Sequence, residues 1–146
     1  MKKEVRIPLI VIAAFTLVRI GPSFSSNPVD FHSGILSADD ASFESELAAL
    51  DREWILVYFH APWCAPCRRM TPSVNDLAAN TNGALPVISV NLDEAPRTAA
   101  TYGVNATPTI LLLRHGFLFD RYAGPLPTPV LENWIESRIG KDTIHP

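Results

Sequence analysis

The sequence predicts an α/β protein with a central mixed β-sheet and helices on both faces. Two observations favour this class. Short apolar runs typical of buried strands alternate with segments that carry apolar residues at helical spacing, and from residue 54 onward their order is βαβαββα. A chain of 146 residues, 47% of them hydrophobic, also suits one domain with ample material for a core.

The predicted organisation has four parts. In chain order they are a signal peptide or N-terminal anchor at 1–26, a linker at 27–36, the folded domain at 37–140 and a C-terminal tail at 141–146. The linker contains Pro, Ser and Gly, which disfavour regular structure, although a short leading strand there remains an alternative.

Local patterns place the elements of the domain. Ser37 or Asp39 can cap a first helix that reaches about Leu50, with Phe43 and Leu47 on its buried face. Strands follow at about 54–60, 85–91, 109–114 and 117–122, and further helices at about 65–79, 94–101 and 129–139. The second helix contains a proline, Pro72, which should kink it.

The first 26 residues have the pattern of a targeting segment. Three basic residues precede an apolar run at 7–18, and the small-x-small pattern at 23–25 suits a cleavage site. The run is short for a membrane span, which needs about 20 residues. We therefore expect an exported protein, periplasmic or extracytoplasmic. An uncleaved anchor that touches the membrane through residues 7–20, or an ordinary buried element, is the alternative.

Charge excludes one class of partner. The formal net charge is −3, and it becomes −6 without residues 1–25, which hold four basic side chains and one acidic one. An acidic domain argues against nucleic acid as a partner.

The only two cysteines, Cys64 and Cys67, lie at the predicted turn between a strand and a helix. Free N–H groups and the dipole at a helix N-terminus stabilise an anion, which should lower the pKa of Cys64. We therefore expect Cys64, exposed at the start of the helix, to be the attacking thiol. Cys67, one turn into the helix and buried, would resolve the mixed disulfide. Between them, Pro66 stiffens the turn and Ala65 leaves the sulfurs uncovered.

Two other uses of the cysteine pair are less favoured. An inert disulfide across a two-residue loop would hardly constrain the unfolded chain. A metal site could take His60 as a third ligand, but the sequence offers no second cysteine pair or paired histidine for a fourth. We therefore expect a redox-active Cys64–Cys67 disulfide, with no other cofactor and no metal.

The segment Trp63-Cys64-Ala65-Pro66-Cys67 resembles the Trp-Cys-Gly-Pro-Cys motif of the thioredoxin superfamily, and Ala106-Thr107-Pro108-Thr109 resembles the segment that carries its cis proline. Smaller matches are Pro72, Asn91-Leu92-Asp93 and Gly124. Together they cover roughly residues 37–140. The resemblance implies a thioredoxin-like fold and thiol:disulfide oxidoreductase activity.

The resemblance also implies roles for residues around the pair. A cis Thr107–Pro108 bond would leave the backbone of Thr107 free to pair with an extended substrate beside Cys64. Trp63 is similar to the tryptophan that flanks the pair, and Asp93 to an aspartate that orients it. A half-buried packing role for Trp63 and a helix N-cap at Asp93 are the open alternatives.

Two positions depart from the family pattern. Where thioredoxins have a buried Asp in the strand before the motif, this chain has Tyr58, and where they have a Lys in the next strand, it has Ser89. The carboxylate is the expected acceptor for the proton of the resolving thiol. His60 or water could replace it, although a packing role for His60 is favoured. These departures suit a specialised exported member better than a general reductant.

We therefore expect an oxidoreductase that acts on cysteine-containing proteins outside the cytosol and is nearer to a reductase or isomerase than to an oxidase. A disulfide-donating oxidase is one alternative, and a redox-inert module that binds peptides beside Pro108 is another. A separate redox partner must reset the protein, since the sequence holds no second cysteine pair. We expect a monomer.

Overall fold

A computed structural model describes residues 34–144, which form a five-stranded mixed sheet with helices on both faces. In chain order the elements are β1 (Ile35–Ala38), α1 (Phe43–Leu50), β2 (Trp54–His60), α2 (Ala65–Asn80), β3 (Val87–Asn91), α3 (Pro96–Thr101), β4 (Thr109–Arg114), β5 (Phe117–Ala123), α4 (Thr128–Ile139) and α5 (Lys141–Ile144). The predicted fold class is confirmed.

Strand β2 is the middle strand of the sheet, whose order is β1-β3-β2-β4-β5. It runs parallel to β3 and antiparallel to β4. Its residues from Trp54 to Phe59 are all buried, because helices cover both faces of the sheet. The functional turn therefore follows the most enclosed strand of the fold.

Successive residues of β2 point to opposite faces and contribute to two separate cores. Leu56 and Tyr58 pack with residues of α2 and α4, among them Met70. Val57 and Phe59 pack on the other face, with residues of α1 and of the segment around α3. Six residues of α2 are buried, and four of them (Met70, Val74, Leu77 and Ala78) share the core with Leu56 and Tyr58. Pro72 lies inside the helix without ending it.

The two ends of the described domain are defined by pairing and burial. Ile35 and Leu36, for which the sequence left a linker or a short leading strand open, belong to β1 because they pair with Val87 and Ile88 of β3. Residues 141–144, placed in a tail, form the short helix α5, and Ile144 is completely buried in the core.

The predicted capping of α1 also changes. Ser37 lies in β1, so it does not cap a helix. One carboxylate oxygen of Asp39 accepts hydrogen bonds from the N–H groups of Ala41 and Ser42, both at 2.9 Å. Asp39 thereby fixes the turn that leads into α1, and the helix begins at Phe43.

Residues 1–26, predicted as a signal peptide or anchor, lie outside the described residues. Within residues 34–144, none of the helices combines the length and the apolar character that a membrane crossing requires.

Candidate active site

The cysteine pair joins the end of β2 to the start of α2. Cys64 is the N-cap residue of α2, and Cys67 lies in the first helical turn. The two form a disulfide, with their Cα atoms 5.2 Å apart. Cys64 is 4% exposed and Cys67 is 2% exposed. The expected contrast between an exposed and a buried cysteine is therefore absent in this oxidised form, because both sulfurs pack with Ala61 and Leu92.

The backbone of α2 supplies a hydrogen-bond donor to the first sulfur. The N–H of Cys67 lies 3.1 Å from Sγ of Cys64 and donates to it. No acidic residue stands in the first turn of the helix. A donor at a helix N-terminus favours negative charge on this sulfur, so the geometry stabilises a Cys64 thiolate once the disulfide opens.

Pro66 and Arg68 shape the turn around the disulfide. Pro66 stands in the first turn of α2, where a missing N–H costs no helical hydrogen bond. Arg68 donates from Nη1 to the carbonyl oxygen of Pro62 over 3.2 Å, which ties the helix to the loop before the pair. Ala65 is exposed and has no side chain beyond Cβ to cover the sulfurs.

Trp63 stands beside the pair and is 64% exposed, so it is not the half-buried packing residue that the sequence left open. Its indole N–H donates to Oδ1 of Asp93 over 3.1 Å. Asp93 is not the N-cap of α3, because Ala95 holds that position. The structure thus brings together two site residues that lie 30 positions apart in the chain.

The Thr107–Pro108 peptide bond is cis. Thr109 pairs with Phe59 at the end of β2, so the two preceding residues lie at the edge of the sheet where the cysteine turn begins. Pro108 is buried and its carbonyl oxygen accepts the N–H of Gly124 at 2.8 Å, whereas Thr107 is partly exposed.

Tyr58 stands where the family that the sequence resembles has a buried Asp, the expected acceptor for the proton of the resolving thiol. Its side chain is 2% exposed, and its hydroxyl donates to the carbonyl oxygen of Cys67 over 3.1 Å. Burial raises the pKa of Tyr58. The phenol is therefore neutral at pH 7 and does not replace a carboxylate.

Thr71 was not among the residues predicted from the sequence. Its hydroxyl donates to the carbonyl oxygen of Cys67 over 2.9 Å and lies 3.3 Å from the hydroxyl of Tyr58. Its position four residues after Cys67 on a predicted helix is the signal that could have identified it.

His60 is half-buried and stacks on the ring of Tyr58, with 5.3 Å between ring centroids. It lines a polar cavity of about 260 Å³ together with Ser89, Asn91 and Glu94. Burial lowers the pKa of His60, and the charge of Glu94 partly opposes this. His60 is thus a neutral base in contact with a cavity that water can enter.

No group of three or more His, Cys, Asp or Glu side chains within residues 34–144 is arranged to hold a metal ion. The two cysteines form a disulfide, a bond that can be reduced to two thiols and formed again.

Comparison with known proteins gives consistent matches. The family model described as Thioredoxin matches residues 34–137. A thioredoxin from Synechocystis is 38% identical over 101 residues, covering 68% of this chain and 92% of the relative. A thioredoxin from Haemophilus influenzae is 36% identical over 107 residues, covering 73% and 99%. A chloroplastic M-type thioredoxin from Zea mays is 34% identical over 116 residues, covering 80% and 67%.

A solved structure agrees with these matches. A mutant thioredoxin from Halobacterium salinarum superposes with a TM-score of 0.63 at 29% identity, covering 71% of this chain and 89% of that chain.

These relatives correct the expected localisation. They are named thioredoxins, one of them chloroplastic, and none of the names describes an exported, periplasmic or anchored protein. The prediction of export is therefore wrong. A basic start followed by a short apolar run is not specific enough to establish export by itself, and the substrates are no longer expected to lie outside the cytosol.

Proposed function

The chain belongs to the thioredoxin family, and on this basis we propose that it is a reductase of protein disulfides that uses Cys64 as the attacking and Cys67 as the resolving thiol. As a family member it is a thiol:disulfide oxidoreductase, not a redox-inert binding module. It acts on protein disulfides, is reset by a separate reductase and needs no bound cofactor.

The proposed reaction has two steps. The Cys64 thiolate attacks one sulfur of a substrate disulfide, which forms a mixed disulfide and releases the other substrate sulfur as a thiolate. Cys67, after losing its proton, attacks Sγ of Cys64. The Cys64–Cys67 disulfide forms, and the second substrate thiolate leaves. The substrate gains two electrons and the protein loses two.

The donor set around Cys64 supports the reducing direction. A strong oxidant of this type depends on a reduced form with a heavily stabilised thiolate. In the described part of the chain, the sulfur of Cys64 accepts one hydrogen bond, from the N–H of Cys67. The guanidinium of Arg68 is directed to a backbone carbonyl instead. A Cys64 thiolate that is only moderately stabilised favours a low reduction potential, which is the property of a reductant.

The exposed groups next to the pair suit contact with a substrate chain. Trp63 offers an exposed aromatic surface, and Pro66 and Thr107 are each partly exposed at the same edge of the sheet. We assign these three residues, with the buried Pro108 beside them, to substrate binding. Asp93 is assigned a supporting role through its bond to Trp63.

The direction is tested by the reduction potential of the Cys64–Cys67 pair, measured by equilibration with glutathione. A value near roughly −270 mV is expected for a reductase, whereas a value near roughly −120 mV would make the protein a donor of disulfides and overturn the proposal.

The roles of the two cysteines are tested by trapping. Cys67→Ser should accumulate mixed disulfides with substrate proteins through Cys64, because the resolving thiol is missing. Cys64→Ser is the matched control and should trap far less. Equal trapping by the two variants would show that the roles are not divided as proposed.

A further inference from the structure

Two hydroxyl groups converge on the carbonyl oxygen of Cys67. The Tyr58 hydroxyl reaches it from the sheet over 3.1 Å, and the Thr71 hydroxyl reaches it from the next turn of α2 over 2.9 Å. In an α-helix this carbonyl already has a regular partner, the N–H four residues on. Two additional donors on one carbonyl exceed what the helix itself needs.

The hydroxyl of Tyr58 is also not required for packing. The ring of Tyr58 lies in the core with Met70 and Val74, where a phenylalanine ring would fill the same space. Thr71 is at the exposed side of α2, where a hydroxyl has water as an alternative partner. In satisfying their own hydrogen-bonding needs, both hydroxyls therefore also hold the backbone of the resolving cysteine.

Cys67 is held at both ends of its backbone. Its N–H donates to Sγ of Cys64 at 3.1 Å, and its carbonyl oxygen is held by the two hydroxyls. Its side chain is 2% exposed. A residue fixed in this way keeps its sulfur in one place when the disulfide opens, which is the condition for rapid attack on a nearby mixed disulfide.

We propose that Tyr58 and Thr71 are positioning residues for the second step of exchange, in which Cys67 attacks the mixed disulfide at Cys64. They hold the backbone of Cys67 so that its sulfur remains in line with the Cys64–substrate bond. This inference rests on the oxidoreductase activity of the family and on the proposed division of the two cysteines, and it is independent of the direction in which the pair works in the cell.

The two steps can be observed separately with dithiobis(nitrobenzoate) added at less than one equivalent to reduced protein. In the first step the Cys64 thiolate cleaves the reagent and releases one coloured nitrothiobenzoate ion. In the second step Cys67 gives its proton to solvent and attacks Cys64, and the second nitrothiobenzoate ion leaves. The first phase is second-order and the second phase is first-order, so stopped-flow absorbance resolves them.

Tyr58→Phe and Thr71→Val each remove one hydroxyl with little change of shape. We expect the second phase to slow at least about fivefold in each variant, because a displacement of a reacting group by about 1 Å can cost about a hundredfold in rate and a part of that displacement a part of this loss. The first phase should change less than twofold. Thr71→Ser keeps the hydroxyl and should restore the second phase.

Thr101→Val is the matched control. The hydroxyl of Thr101 makes the same bond to a carbonyl four residues back, that of Arg97 at 2.9 Å, but in α3. Both phases should be unchanged in this variant. The proposal is overturned if the second phase is unchanged in Tyr58→Phe and Thr71→Val, or if both phases slow by the same factor. A wild-type protein that releases no nitrothiobenzoate would instead refute the redox activity itself.

Discussion

The indole nitrogen of Trp63 donates a hydrogen bond to Oδ1 of Asp93 over 3.1 Å. This contact links the turn after β2 to the loop after β3. It fixes one end of an aromatic ring that is 64% exposed and would otherwise be free to rotate. An exposed ring in a fixed orientation is a pre-organised contact surface, since less conformational freedom is lost when a substrate covers it.

Removal of this acceptor should weaken substrate binding. We expect Asp93→Ala to raise KM for a protein disulfide about threefold to tenfold, the range that corresponds to one hydrogen bond of about 1 kcal/mol, with a smaller change in kcat. Asp93→Asn keeps an oxygen that can accept the indole N–H and should remain within about twofold of wild type. Equal losses in the two variants would assign the effect to the charge of Asp93 instead of its bond to Trp63.

The acid stability of the domain should depend on Asp40. Burial opposes ionisation of Asp40, but hydrogen bonds from Thr98 and Arg97 outweigh it and lower the pKa from 3.8 to about 2. The stabilisation is therefore complete above pH 3.8 and is lost as the pH falls toward 2. Urea midpoints measured across this range should show a flatter profile for Asp40→Asn, which has no charge to lose. If the urea midpoint of Asp40→Asn falls with pH as steeply as that of wild type, other groups cause the acid sensitivity.

His60 should make the domain less stable in mild acid. Burial lowers the pKa of His60 below 6.5 in the folded state, so below pH 6.5 the unfolded chain binds a proton that the folded chain does not. Stability should therefore fall as the pH drops below 6.5, and His60→Gln should remove this part of the decline.

The pKa of His60 can be tested directly through the charged groups around it. Tyr58 stacks on the histidine, Asp39 and Asn91 line the same cavity, and Glu94 is the group whose charge raises the pKa of His60. Glu94→Gln should lower that pKa further, as measured by NMR titration of the ring protons. A pKa above 6.5 in the wild-type protein would contradict the expected direction of the stability change.

Helix α5 should contribute measurably to stability. Ile144 is completely buried in the core that includes Leu131 and Ile135 of α4. Ile144→Ala should therefore lower the free energy of unfolding by about 2–4 kcal/mol, as measured by urea denaturation. Lys141→Ala, at an exposed position of the same helix, should stay within about 0.5 kcal/mol of wild type. If Ile144→Ala lowers the free energy of unfolding by less than about 1 kcal/mol, helix α5 contributes little to stability.

The sheet and the cysteine turn could be predicted because their signals are local. The strand at 54–60 was predicted with the bounds that β2 has in the structure, since six consecutive apolar residues end directly before the turn. The placement of Cys64 at the start of α2 followed from the same boundary. Periodicity and turn residues are sufficient where an element is long and strongly patterned.

The parts that could not be predicted depend on distant partners. β1 has four residues and no clear alternation, and it is defined by pairing with β3 about 50 positions later. Ile144 is buried because it packs with residues of α4. The role proposed for Thr71 depends on its hydrogen bond to the carbonyl oxygen of Cys67, which forms only in the folded helix. Export was predicted from a pattern of charge and hydrophobicity alone, and the names of the matched relatives do not support it.

The position of β2 in the middle of the sheet has a consequence for local opening. Proteins fray at edges and termini under native conditions, whereas amides of central strands exchange with solvent only when the whole domain unfolds. The cysteine turn continues directly from β2, which is bonded on both sides by β3 and β4. Fraying of β1 or β5 should therefore leave the reactive pair intact, and the site should lose its geometry only together with the fold.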